Sequence, residues 1–331
     1  MSRVALALVA GFAAFAAPAK AASYGVLLLA HGGTPEWNAT VSQMARGLDQ
    51  QAPTEIAFGM ADPDALQAGV DKLVTRGASR IVAVPLFIHS RSEVMDQTRY
   101  ALGLSTQPSI VLRDALAAMM AHMPPEMMKG PAHHMMMFSL KQVKSPVPVA
   151  LTPALDDSPI VAGVLWRRAL ALSREPSRET VILVAHGPVD AKANEAWLVT
   201  MNVQAERVRR AGGFAAAEAF SIRDDAPPRI KQPALDALRA AVERAAQNGG
   251  RAIVIPYLIA RGGIEDHVTE ALSGLDYAWD GRTLCPDPAI ERWAQDMARR
   301  AAAEAFPDRD AASSSRDFRK NSDYLTLNKL N

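Results

Sequence analysis

Two stretches constrain the fold more than any other part of the chain. "YGVLLLAHGG" (24–33) and "TVILVAHGPV" (180–189) are both strand-length apolar runs that end in Ala-His-Gly. The elements after each of them repeat as well. A polar, helical stretch with an early Trp comes next, "TPEWNATVSQMARGLDQQ" in the first half and "DAKANEAWLVTMNVQAERVRRAGG" in the second. A short strand comes third, "TEIAFGMAD" or "AAEAFSIRDD", and then an amphipathic helix, "DALQAGVDKLVTRGA" or "QPALDALRAAVERAAQNGG". In the first of these helices Leu66, Val70, Leu73 and Val74 recur at helical spacing. A last apolar strand closes each unit, "RIVAVPLFI" or "RAIVIPYLI", with Pro85 and Pro256 in matching places. Strands alternating with helices imply parallel sheets, and unbroken apolar runs imply strands covered on both faces. The predicted fold class is α/β, a tandem repeat of two three-layer α/β/α units.

In such sheets a ligand sits beyond the carboxyl ends of the strands, where the crossovers leave a crevice. His31, His186 and the polar residues after Pro85 and Pro256 all fall there. His and Glu groups sharing a crevice can hold a divalent ion or accept protons from a bound acid. The chain has 36 basic and 35 acidic residues, a net charge of +1, which offers no electrostatic case for a nucleic acid or an acidic membrane surface. Cys285 is the single cysteine, so an internal disulfide and a Cys-rich metal site are excluded. There is no Gly-x-Ser-x-Gly elbow and no phosphate-cradling Gly loop, which argues against a hydrolase or a nucleotide enzyme.

The N-terminus reads as an export signal: Arg3, the apolar run "VALALVAGFAAFAA", then the small-x-small pattern Ala19-Lys20-Ala21. Cleavage is expected before Ala22, leaving a periplasmic or secreted protein with no membrane segment. The first unit is expected over 22–116 and the second over 178–306, with a Met/His-rich insert and a Pro-rich linker filling 117–177. Within that insert, 117–138 carries eight of the fourteen Met and three of the seven His residues, a soft donor set suited to metal capture or to an irregular contact surface. "KSPVPVALTPALDDSP" (144–159) reads as linker or crossover, and the polar tail 307–331 as disordered.

With these motifs in place the chain resembles the class II tetrapyrrole chelatases, and among them the sirohydrochlorin cobaltochelatase type. The likeness rests on "LLLAHGG" (27–33), "AFGMADPDALQAGVDKLVTRGASRIVAVPLFI" (57–88), "ILVAHGP" and "RAIVIPYLIARGG", and covers most of 24–115 and 178–300. The resemblance implies a duplicated α/β/α fold with a four-stranded parallel sheet in each unit. It also implies insertion of a divalent metal, cobalt first and iron or nickel as alternatives, into a tetrapyrrole lying between the units, without a nucleotide. The metal is then a substrate. The family's first essential His corresponds to His31. Its second, eight residues past the Pro, falls on Glu93, while His89 lies four residues earlier. In the second unit the same place is Ile264, with Glu265, Asp266 and His267 just after it, and Gly262 before them where the first unit has Arg91.

The expected roles come from that register. His31 is the metal ligand or proton acceptor, Glu93 its partner and His89 an auxiliary ligand. His186 with Glu265 or His267 forms a mirror site, vestigial or for binding alone. Arg91 and Arg261 pair with the acidic side chains of the tetrapyrrole through bidentate hydrogen bonds. The competing reading is a non-catalytic exported protein that binds metal or tetrapyrrole on the same fold.

Overall fold

The structure is a computed structural model and describes residues 24–110, 112–114, 140–304 and 306. The export signal, the Met/His-rich stretch 117–138 and the polar tail lie outside the described residues. The first unit runs β1 (Tyr24–Ala30), α1 (Pro35–Asp49), β2 (Thr54–Phe58), α2 (Pro63–Thr75), β3 (Arg80–Pro85), α3 (Glu93–Ala101) and β4 (Val149–Leu151). Helix α4 (Pro159–Leu172) leads into the second unit: β5 (Glu179–Ala185), α5 (Ala191–Gly212), β6 (Ala216–Ser221), α6 (Pro228–Ala245), β7 (Arg251–Pro256), α7 (Ile264–Ala271), β8 (Tyr277–Ala278) and α8 (Pro288–Ala303). Two four-stranded sheets result, ordered β2-β1-β3-β4 and β6-β5-β7-β8, and all their pairings are parallel. The two-unit α/β reading is borne out.

Strand β4 lies inside the stretch expected to be linker. Val149–Leu151 pairs with β3, so the first unit extends well past residue 116 and the Pro-rich segment completes its sheet. Three residues are too few to show a period of two.

The apolar strands are unbroken because both faces are covered. In β1, Leu27 and Leu29 pack with Leu66, Val70 and Leu73 of α2, while Val26 and Leu28 face a core shared by both units. In β5, Ile182 and Val184 meet Leu238 and Val242 of α6, while Val181 and Leu183 face the same shared core. Truncating any one of these larger side chains to Ala costs about 2–5 kcal/mol. Helix starts obey local chemistry. Thr34, Asp62, Ser92, Asp190 and Asp287 cap α1, α2, α3, α5 and α8 by accepting backbone N–H groups of the first turn.

The shared core arises from an exchange of helices. Helix α4, just after the last strand of the first sheet, packs on β7 and α5, and α8, just after the last strand of the second, packs on β3 and α1. Buried Arg168 of α4 donates to the carbonyls of Arg282 and Leu284 just before α8, and Arg80 at the start of β3 donates to the Ala302 carbonyl at the end of α8. These contacts tie the two units together through the exchanged helices. Cys285 is buried, and that burial pushes its thiol up to about 12. Among the described residues no helix is long and apolar enough to cross a membrane.

Candidate metal centre

The site-forming loops begin one residue past the sheet. Gly32 and Gly187, the glycines of the two Ala-His-Gly motifs, have φ of +79° and +73°, a left-handed turn that L side chains adopt at a cost. At Gly187 space is also limiting: a Cβ would lie 2.4 Å from Ser221 Cβ and 3.0 Å from Asn194 Oδ1. The loop after β5 is thus pressed onto the end of β6, and His186 comes with it.

The next segment is turned by Arg223, a non-glycine residue at φ +51°. Its guanidinium donates to the carbonyls of Pro188 and Val189, tying the β6–α6 loop to the β5–α5 loop. Asp224 and Asp225 come next in the chain. His186 Nε2 lies 2.9 Å from Asp225 Oδ2. Donor atoms of His186, Asp224 and Asp225 all lie within 4.8 Å of one another, and among the described residues they form the one such grouping of His, Cys, Asp or Glu side chains. His267 of α7 donates from Nδ1 to Asp224, 2.9 Å to Oδ2 and 3.0 Å to Oδ1, which leaves its Nε2 as an acceptor. Lys231 of α6 lies 2.5 Å from Asp224 Oδ1. Burial alone raises the Asp224 carboxyl, but hydrogen bonds from Lys231 and His267 outweigh it and hold the group below its ordinary value. Imidazole with carboxylates suits divalent Co, Ni, Fe and Zn.

The first unit presents a different picture. His31 is exposed at the end of β1, and its Nδ1–H donates to the Gly32 carbonyl at 2.5 Å. The sheet register pairs Ala30 with Phe58 and Ala185 with Ser221, so Asp224 and Asp225 match Ala61 and Asp62. One carboxylate is missing there, and the other is engaged: Asp62 Oδ1 accepts from Asp64 N at 2.8 Å and Ala65 N at 3.1 Å to cap α2.

His89 is buried at the seam between the units, not gathered with His31. Its Nδ1 accepts from Arg91 N at 2.9 Å, its Nε2 meets Thr200 Oγ1 at 3.0 Å, and its ring stacks on Trp197 of α5 at 6.0 Å between centroids. With both nitrogens bonded it has no lone pair to give a metal. Glu93 opens α3 and is exposed; partial burial of its carboxyl raises it above the ordinary value, opposed by a hydrogen bond with Ser109. The expected grouping of His31, His89 and Glu93 as metal ligands is therefore not present. Glu265 is buried and not part of the grouping of His186, Asp224 and Asp225, accepting through Oε2 from the Gly262 and Gly263 N–H groups before α7. The place expected to be vestigial, at His186 and His267, is where the donors converge. Sequence reasoning passed over Asp224 and Asp225, although "SIRDD" holds them as carboxylates just past the end of β6.

Arg91 and Arg261 stand exposed on the matching loops after β3 and β7, and among the described residues neither guanidinium makes an ion pair or a side-chain hydrogen bond.

Known proteins share this architecture. Residues 25–171 match the CbiX family model. The fold matches SirB from Bacillus subtilis with Fe3+ at a TM-score of 0.56 and 13% identity, over 85% of this chain and 96% of that one. It also matches the sirohydrochlorin chelatase SirB from Bacillus subtilis subspecies spizizenii in complex with cobalt, at a TM-score of 0.52 and 11% identity, over 85% and 95%. No curated protein matches by sequence. The likeness to the CbiX family thus covers the first unit and most of α4.

Proposed function

We propose that this protein inserts a divalent metal, cobalt in the first instance, into a sirohydrochlorin-like tetrapyrrole, and that the metal is held in the second unit. The observation that carries the reading is the convergence of His186, Asp224 and Asp225 within 4.8 Å at the carboxyl end of the second sheet. The match of residues 25–171 to the CbiX family model and the two-unit chelatase fold support the reaction class, and the cobalt and Fe3+ bound to the SirB structures support the kind of ion.

The reaction needs no nucleotide. A tetrapyrrole gives up two inner N–H protons, one metal ion leaves its protein donors for the four ring nitrogens, and charge balances. His186 and the Asp pair hold the ion while it sheds water. His267, its Nδ1–H fixed on Asp224, offers Nε2 to a departing pyrrole proton. The two unpaired guanidinium groups, Arg91 and Arg261, are placed to receive carboxylates of the macrocycle. Their positions on pseudo-equivalent loops suit a ligand that reaches both units.

The N-terminal pattern supports an exported protein acting in the periplasm or outside the cell. N-terminal sequencing of the mature protein checks this, with Ala22 as the expected first residue.

The test of function is absorbance of sirohydrochlorin mixed with Co2+, then Fe2+ and Ni2+, with and without the protein. Insertion faster than the protein-free rate supports an enzyme. Metal and tetrapyrrole binding at the protein-free rate makes it a binding protein instead.

A further inference from the structure

We infer that Lys231 is the exchangeable counter-ion of the metal centre, a cation that yields Asp224 when metal arrives and reclaims it when metal leaves. The inference rests on the assignment of the metal to the second unit. Lys231 Nζ lies 2.5 Å from Asp224 Oδ1, one of the three converging donor groups. The Lys231 side chain is 28% exposed and the Asp224 side chain 10%. The lysine springs from the first turn of α6, beside the loop that carries both aspartates. A metal ion on the Asp224 carboxylate and an ammonium in contact with the same group repel each other strongly, so metal binding drives the lysine away. Lys231 has the means to move, since its ammonium rides on a flexible four-carbon stem and is already part-hydrated.

The consequence concerns cargo. A protein that passes a metal onward needs a site that does not hold it too tightly, and a departing dication leaves the largely buried Asp224 carboxylate with the His267 N–H but no opposing cation, which is costly. A lysine returning to Asp224 removes that cost. It weakens equilibrium metal affinity and speeds release toward the ring nitrogens. The two ring protons leave by other groups, and Lys231 takes the place of the metal beside Asp224. In the first unit the place of Asp224 is taken by Ala61, and Asp62, the match to Asp225, is bonded to helix N–H groups, so no such exchange is built there.

The experiment is a Co2+ titration of the mature full-length protein against a chromophoric competitor, for wild type, Lys231→Gln, Lys231→Arg and His186→Ala, with single-turnover transfer from Co2+-loaded protein to sirohydrochlorin measured afterwards. Lys231→Gln is expected to bind Co2+ about tenfold more tightly and to transfer it about tenfold more slowly, as removal of a close like charge predicts. Lys231→Arg, which keeps the charge, is expected to stay near wild type. Unchanged or weaker Co2+ affinity in Lys231→Gln overturns the inference while leaving the metal centre standing. Equal Co2+ binding by wild type and His186→Ala overturns the metal centre itself, and the role of Lys231 with it.

Discussion

His267 Nδ1 lies 2.9 Å from Asp224 Oδ2, joining the first turn of α7 to the loop after β6. Two residues 43 positions apart thus form a carboxylate–imidazole pair at the mouth of the second sheet. The pair fixes the imidazole tautomer, and Asp224 adjoins His186 and Asp225. Asp224→Asn removes the charge while preserving shape. It is expected to weaken Co2+ binding by about 10–100-fold, the usual range for disturbing such a pair, with little change in thermal unfolding. Competition titration and a melting curve measure the two effects separately.

Asp62, the first unit's register match to Asp225, has a different duty. Asp62→Ala is expected to destabilise the fold by about 1 kcal/mol through loss of the α2 cap, and to leave Co2+ affinity unchanged. Urea unfolding gives the first quantity and titration the second; a drop in affinity assigns the first unit a metal role.

Gly187 couples backbone geometry to the site. Gly187→Ala must place a Cβ 2.4 Å from Ser221 Cβ at φ +73°, whereas Gly213→Ala at φ +67° meets nothing within 4 Å. The first substitution is expected to cost about 1–3 kcal/mol and to weaken metal binding, because the loop carrying His186 has to shift. The second is expected to cost about 1 kcal/mol with metal binding intact. Equal effects of the two on metal binding contradict the close approach of the loops.

His89 links stability to pH. Burial holds its pKa below the ordinary 6.5, because the neutral ring is the form that fits between Arg91 N–H, Thr200 and Trp197. A base with a lowered folded-state pKa binds its proton more readily when unfolded. Its contribution is therefore complete above about pH 6.5 and is lost as pH falls from there toward the folded-state value. Urea unfolding between pH 8 and pH 5 is expected to show a fall in stability, and His89→Ala, itself about 2 kcal/mol less stable, is expected to flatten it. Co2+ affinity at pH 8 is expected to be the same in both proteins.

The repeated plan was legible in the sequence because its causes are local. Apolar runs, helical spacing from Leu66 to Leu73, Pro63 and Pro288 at helix starts, and the matched Pro85 and Pro256 all act within a few residues. Strands β4 and β8 were not legible, being three and two residues long. Nor was the exchange of α4 and α8, since an apolar helix face carries no mark of which sheet it will cover. His89 reads as a polar strand end and turns out to pack against α5, a choice made by Trp197 and Thr200 more than a hundred positions away. Asp224 and Asp62 show the same limit at the site. Both come after a second strand, yet one caps a helix and the other faces a histidine; the loops turn at different places, at Gly59 and Ala61 in the first unit and at Arg223 in the second.

Handling of the metal by the second unit is tested most sharply by the initial rate of Co2+ insertion into sirohydrochlorin, measured by absorbance in His186→Ala and His31→Ala side by side with wild type. His186→Ala is expected to lose about 100-fold or more, as removal of a ligand or proton acceptor does, and His31→Ala to stay within about threefold of wild type. Loss of activity in His31→Ala with His186→Ala left near wild type contradicts a metal centre in the second unit.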